Sequence, residues 1–191
     1  ETVVAISELI EYYKGIFTTL SSCASRQLEE VTFRRATISV PELMATAGKY
    51  FRKVYKGNKA HIDFKIQPLE GRITGDWNQL RFLLENLIDE ACSVTLDGAV
   101  CLSAREDGEF IRFLFTDMRR EKTREELNQL FYPDLSRMTA GEKGELYGTE
   151  YLVCKQIIRD HDEFAGRRGC RINAEPGKEG GFTIYFTLPK K

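Results

Sequence analysis

The run "FIRFLFTDMRREK", residues 110–122, begins as an apolar β-type segment and delivers one carboxylate, Asp117. It then turns into Arg119, Arg120, Glu121 and Lys122 with no glycine to make the bend. A carboxylate carried by a buried strand is an acceptor that needs donors, so Asp117 is either a strand-end group meeting a turn or the acceptor of a binding site. Asn86 and Glu90, four residues apart, share one face of a predicted helix, opposite a stripe of leucines. No serine, cysteine or histidine arrangement resembles a hydrolase site, and no His/Cys/Asp/Glu spacing fits a metal centre. The two histidines, His61 and His161, fall in a predicted strand and at the end of the last predicted helix. Cys23, Cys92, Cys101, Cys154 and Cys170 are far apart and mostly set in apolar runs such as "AVCLSA" and "YLVCKQI". They read as buried thiols of a reducing compartment rather than as disulfides or zinc ligands.

At 191 residues, with 42% hydrophobic and 30% charged residues, the chain is long enough and apolar enough for one sizeable core. A formal charge of −1 excludes a global electrostatic footprint for nucleic acid or an anionic membrane, so any anion site must be local. No apolar run approaches the ~18 residues of a membrane helix, and no signal-peptide pattern opens the chain. The first residue is Glu rather than Met, which reads as a piece of a longer protein. Any membrane attachment is therefore expected outside it.

The elements that must position these residues follow from spacing. Residues 3–31 carry Ile6, Ile10, Tyr13, Phe17, Leu20 and onward to Val31 at mostly alternating steps of four and three. This is the seam of one long helix that needs a partner, either within the chain or in a second copy. "SVPELMATAGKYF" opens a second helix, with Ser39 and Glu42 at capping-box spacing and Pro41 in the first turn. "HIDFKIQ" and the short "RIT" read as strands. Asp76 caps a third helix carrying Leu80, Leu83, Leu84, Leu87, Ile88 and Ala91. Two strands flank the turn signal Asp107-Gly108, and Thr123 and Glu126 cap a short helix ending near Phe131. Residues 132–148 read as a long glycine-bearing loop, Thr149 to Asp160 as the last helix, and "CRINAE" with "GFTIYFTLP" as a closing hairpin. The expected fold is α+β, a two-layer sandwich of one mixed β-sheet covered by helices and preceded by the long N-terminal helix.

In order and spacing, residues 37–189 resemble the ATP-binding catalytic domain of sensor histidine kinases, within the GHKL superfamily that includes gyrase and heat-shock chaperone ATPases. "ITGDWNQLRFLLENLIDEA" resembles the asparagine-box helix and "FLFTD" the strand reaching the first glycine box. "LNQLFYP" with Phe131 resembles the phenylalanine box, and "GTEYLVCKQIIRDH" with Gly148 and Lys155 the helix after the second glycine box. The resemblance implies a dimerisation-stalk-like helix over residues 1–36 and an ATPase-like domain over 37–191. It also implies ATP and Mg²⁺ as cofactors, a homodimer, a response regulator or other signalling domain as partner, and a cytoplasmic location.

By the same resemblance Asp117 stands where an adenine amino group is read, and Asn86 and Glu90 stand at the two asparagine positions, the second of which helps to hold Mg²⁺. Asn86, Glu90, Asp117, Phe131, Gly148 and Lys155 are thus the candidate cofactor residues, with Asn86 and Glu90 as candidate metal ligands. The chain departs from the pattern at several positions. Arg119 and Glu121 stand where glycines belong, so that the loop takes another path or side chains enter the base pocket. Glu90 can ligate Mg²⁺ but without it would repel phosphates, the other reading being a solvated surface glutamate. Leu146 and Glu150 replace two of three phosphate-cradling glycines. A gyrase-like register of "ENLIDEA" puts Phe82 at the general-base position, where no proton can be taken. Two functions follow from the resemblance. One is a degenerate kinase-like signalling domain with weak or no ATP use, acting through dimerisation and protein contacts. The other is a divergent, active ATP-dependent protein-histidine kinase in which Glu90 and the Arg119/Arg120 cluster replace the usual metal and phosphate contacts.

Overall fold

A computed structural model describes residues 33–57, 60–131 and 149–191. The seam over residues 3–31 and the loop over 132–148 lie outside the described residues. Strand β1, Arg35–Ser39, leads into helix α1, Val40–Val54, where the Ser39 hydroxyl accepts the Glu42 N–H at 3.4 Å and Pro41 sits where no N–H is needed. Leu43, Met44, Ala47 and Phe51 form the buried face of α1. After β2, Ile62–Gln67, and β3, Arg72–Asp76, helix α2 runs over Trp77–Ser93 and buries the whole leucine stripe read from the sequence. Asp76 ends β3 and caps α2: its Oδ1 accepts the N–H groups of Asn78 and Gln79 at 2.9 and 3.1 Å, and its Oδ2 accepts that of Arg34 at 2.8 Å.

Strands β4, Gly98–Asp107, and β5, Phe110–Asp117, form a hairpin over Gly108-Glu109, one residue on from the turn read in the sequence, with Gly108 at φ 61°. Helix α3, Arg124–Gln129, carries the full reciprocal capping box of Thr123 and Glu126. Helix α4, Thr149–Phe164, precedes the hairpin of β6, Ile172–Pro176, and β7, Phe182–Pro189. The main sheet has the order β2-β4-β5-β7-β6, with β2 parallel to β4 and every other pair antiparallel, so the expected mixed sheet is observed. The segment "RIT" is not part of it. As β3 it pairs antiparallel with β1 in a separate two-stranded ribbon. The boundary drawn between residues 36 and 37 falls inside β1.

One face of the sheet carries the helices. Its inward row on β5 is Ile111, Phe113, Phe115 and Asp117, opposite Leu188, Phe186, Ile184 and Phe182 of β7. Phe113 and Phe186 stack with centroids 5.0 Å apart and planes 3° apart. Asp117 thus occupies an apolar row in register. None of the four described cysteines is in a disulfide, but only Cys154 is buried; Cys92, Cys101 and Cys170 are half-buried, which corrects the expectation of buried thiols. Burial, and secondly the charge of Asp162, pushes the Cys170 thiol up to about 12. Among the described residues no helix is long and apolar enough to cross a membrane.

Helix α4 continues four residues past the end read from the pattern because His161 is a core residue. Its Nδ1–H donates to the Ile157 carbonyl at 2.8 Å, and its Nε2 accepts the Asp76 N–H at 3.0 Å, so the ring is neutral and joins α4 to the start of α2. Phe33 meets the ring edge-on at 4.9 Å. Asp162 then accepts the N–H groups of Gly169 and Cys170 at 2.6 and 2.9 Å, folding the "FAGRRG" segment back onto the helix end. Burial lowers the His161 pKa below 6.5, against the opposing pulls of the Ile157 carbonyl and the Asp76 charge. The unfolded chain therefore binds more protons as pH falls through 6.5. This stability is present above that pH and lost below it, by at most about 1.4 kcal/mol per pH unit. Urea unfolding between about pH 7.5 and 5.5 should show this slope, and His161→Gln should be less stable at the upper end and flatter across the window.

Candidate functional site

The bend after β5 needs no glycine of its own, because the Asp117 side chain makes it. Oδ1 accepts the Arg119 N–H at 3.0 Å, two residues on, while the Met118 N–H pairs with the Ala99 carbonyl at 3.0 Å. The glycine required for close approach comes from the closing hairpin: Gly181, at φ 69°, lies against the Asp117 carbonyl and the Met118 Cα, where a Cβ has no room.

Arg119 then folds back inward. Its Nε and Nη2 donate to Oδ1 and Oδ2 of Asp117, both at 2.8 Å, a two-pronged pair with both side chains 0% exposed. The same guanidinium donates to the carbonyls of Ala91 at 2.7 Å and Leu96 at 3.2 Å. Gly98, at φ 135°, makes room for it; a Cβ there would stand 2.9 Å from Arg119 Cγ. Arg120 bridges the second carboxylate, with Nε and Nη2 at 3.1 and 3.0 Å from Asp117 Oδ2 and Nη1 at 3.0 Å from Glu90 Oε1. It lies over the Phe182 ring at 5.4 Å. Glu90 Oε1 also accepts the Tyr151 hydroxyl at 3.2 Å, and Oε2 the Ser93 hydroxyl at 3.1 Å.

Two carboxylates and two guanidiniums make a neutral cluster. Burial pushes the Asp117 carboxyl up, but the hydrogen bonds and charges of Arg119 and Arg120 outweigh it and hold it below the usual carboxylate range. Burial also opposes charge on Arg120, and Glu90 and Asp117 outweigh that in turn, raising its pKa. Burial, and then Glu90, drives the Tyr151 phenol well above its ordinary value.

Of the residues singled out in the sequence, the structure joins Asp117 to Glu90 through Arg120, and Glu90 to Phe131 through Tyr151, whose ring meets Phe131 edge-on at 6.0 Å. Glu90 is not a solvated surface group; only 20% of its side chain is exposed. The Asn86 amide turns back onto its own helix, donating to the Phe82 carbonyl at 2.7 Å. Lys155 is half-buried on α4 one turn beyond Tyr151, and Gly148 lies outside the described residues. Sequence reasoning did not anticipate that Arg119 and Arg120 answer Asp117 and Glu90, nor that Tyr151 and Ser93 complete the set. The only signal was the two- and three-residue spacing from Asp117 to the arginines.

As arranged, the described residues do not fit adenine or a phosphate-bound cation. Both Asp117 oxygens are engaged by arginines, and the Glu90 carboxylate is turned to Arg120. Replacing Arg119 with Ala would leave a buried carboxylate with one partner, Arg120, whose side chain is 16% exposed, a loss of about 3 kcal/mol in denaturant unfolding. Arg120→Ala, from the wetter side of the cluster, should cost less, about 1 to 2 kcal/mol. Equal losses from the two variants would contradict this ranking.

The fold has solved relatives. Acinetobacter baumannii histidine kinase AdeS superposes with a TM-score of 0.67 at 12% identity, covering 99% of this chain and 84% of that one. The mycobacterial sensor histidine kinase MprB gives 0.60 at 15% identity, covering 83% and 99%. Full-length ShkA in complex with AMPPNP gives 0.61 at 16% identity, covering 82% of this chain and 32% of that one. At these identities the likeness shows the fold alone. No curated protein sequence matches the chain significantly. Residues 75–191, more than half of the chain, match the model of the histidine kinase-, DNA gyrase B-, and HSP90-like ATPases, and the chain belongs to that family.

Proposed function

We propose that this histidine kinase-like ATPase domain is the cytoplasmic signalling part of a two-component sensor protein that works with weak or no ATP use, acting through dimerisation and protein contacts. The observation that carries this reading is the buried two-pronged pair of Asp117 with Arg119, which commits within the chain the carboxylate that the family resemblance would give to adenine. Glu90 supports it. A carboxylate in the place of a metal-holding amide brings negative charge to phosphates, and here it is neutralised by Arg120 rather than held ready for a cation. The partner class is a response regulator or another signalling domain, reached by contact rather than by phosphoryl transfer. Residues 1–36 supply the dimer through the seam from Ile6 to Val31. Any membrane anchor belongs to regions outside these residues.

Titrating the chain with ATP and Mg²⁺ by calorimetry should give no saturable heat up to millimolar nucleotide. Saturable, magnesium-dependent binding in the micromolar range would overturn this reading and favour the divergent active kinase. Dimerisation has its own readout. Light scattering should give a dimer mass, and a chain that stays monomeric even with the helix extended upstream of Glu1 would remove the stalk from this reading.

A further inference from the structure

The hydrogen-bond partners of the Arg119 guanidinium are all acceptors, with Arg120 adjoining on Asp117 Oδ2. They are the two oxygens of Asp117, the Ala91 carbonyl and the Leu96 carbonyl. Ala91 is among the last four residues of α2, whose carbonyls have no partner within the helix and carry the negative end of its dipole. A carboxylate and orphan carbonyls turned to one point favour a planar cation with several N–H groups. They offer nothing to the acceptor nitrogens of a purine. Space is arranged to match: Gly98 lacks the Cβ that would meet the Arg119 stem.

We propose that this pocket is a guanidinium-binding site occupied by the chain's own Arg119, and that it is latent rather than lost: freed of that side chain, it takes up a planar, cationic N–H donor from solution. The proposal rests on the functional reading above, in that no nucleotide enters here. Its consequence for the domain is a permanently loaded site. The guanidinium holds the end of β5, the C-terminus of α2 and the loop after it to one point, as a bound small molecule would. Nothing has to arrive for the pocket to be filled, and nothing leaves when the domain changes partners.

Chemical rescue tests it. Arg119→Gly removes the guanidinium and its stem, leaving the Ala91 and Leu96 carbonyls unanswered and the carboxylate with Arg120 as its remaining cationic partner. Millimolar ethylguanidinium should raise the thermal midpoint of that variant by about 5 °C while leaving the unaltered chain unmoved. Asp117→Asn combined with Arg119→Gly deletes the charge that attracts the cation, and its midpoint should not respond. If Arg119→Gly does not fold alone, recovery of a cooperative transition on refolding with ethylguanidinium carries the same meaning, and no recovery counts against the site. A folded Arg119→Gly indifferent to ethylguanidinium overturns the proposal, as does a variant stabilised by adenosine but not by ethylguanidinium. Magnesium-dependent ATP binding by the unaltered chain would instead defeat the functional reading, so the two failures are distinct.

Discussion

Everything distinctive about this domain turns on how a charged carboxylate survives at the end of an apolar row. Ile111, Phe113 and Phe115 face the helices, and the register of β5 puts Asp117 next in line, fully buried. An isolated carboxylate there would take up a proton, since burial disfavours the ion. Two guanidiniums keep it charged, and each brings a further obligation. Arg119 needs acceptors for its remaining N–H groups and finds them at the end of α2 and in the following loop. Arg120 carries a second positive charge, and Glu90 meets it. Glu90 in turn is held by Ser93 on its own helix and by Tyr151 of α4. One buried charge thereby ties the sheet to two helices.

Such a cluster is a weak source of net stability, because desolvating four charges costs about what their attraction returns. Its effect lies in placement. With the Asp117–Arg119 pair fully buried, both carboxylate oxygens have defined donors, and moving one member exposes the charge of the next. The glycines at 98 and 181 belong to the same arrangement, for both give the backbone clearance that lets a guanidinium stem and a strand end come together. The closing hairpin thus supplies to β5 the clearance that the residues after Asp117 do not.

Much of the frame was legible in the residues. Capping patterns at Ser39, Asp76 and Thr123 located three helix starts, and the leucine stripe of α2 predicted its buried face, because local hydrogen bonding and helical period decide such features. Strand β1 was not legible. Its mostly exposed "RATIS" has no alternation of its own and is specified by pairing with β3. The length of α4 was hidden for a similar reason, since a histidine near a helix end reads as polar until Phe33 and the Asp76 N–H are seen to enclose it. At the site the altered positions were legible, but their relation was not. Nothing local states that an arginine two residues past a strand end points inward; that depends on Gly98, distant in sequence and adjacent in space.

That relation changes how the departures from the family pattern are to be weighed. Taken separately, an arginine for a glycine, another arginine beside it and a glutamate for an asparagine look like independent erosions of a nucleotide site. In the fold they satisfy one another. Glu90 without Arg120 would be a half-buried carboxylate short of its cationic partner, and Arg119 without Asp117 would be a buried guanidinium held by carbonyls alone. Coupling of this kind is non-additive. Removal of any one of Asp117, Glu90, Arg119 and Arg120 takes a charged partner from another. A nucleotide pocket that had merely decayed would be expected to hold unrelated residues and unsatisfied groups. Here Asp117, Glu90, Arg119 and Arg120 answer one another and balance to neutrality.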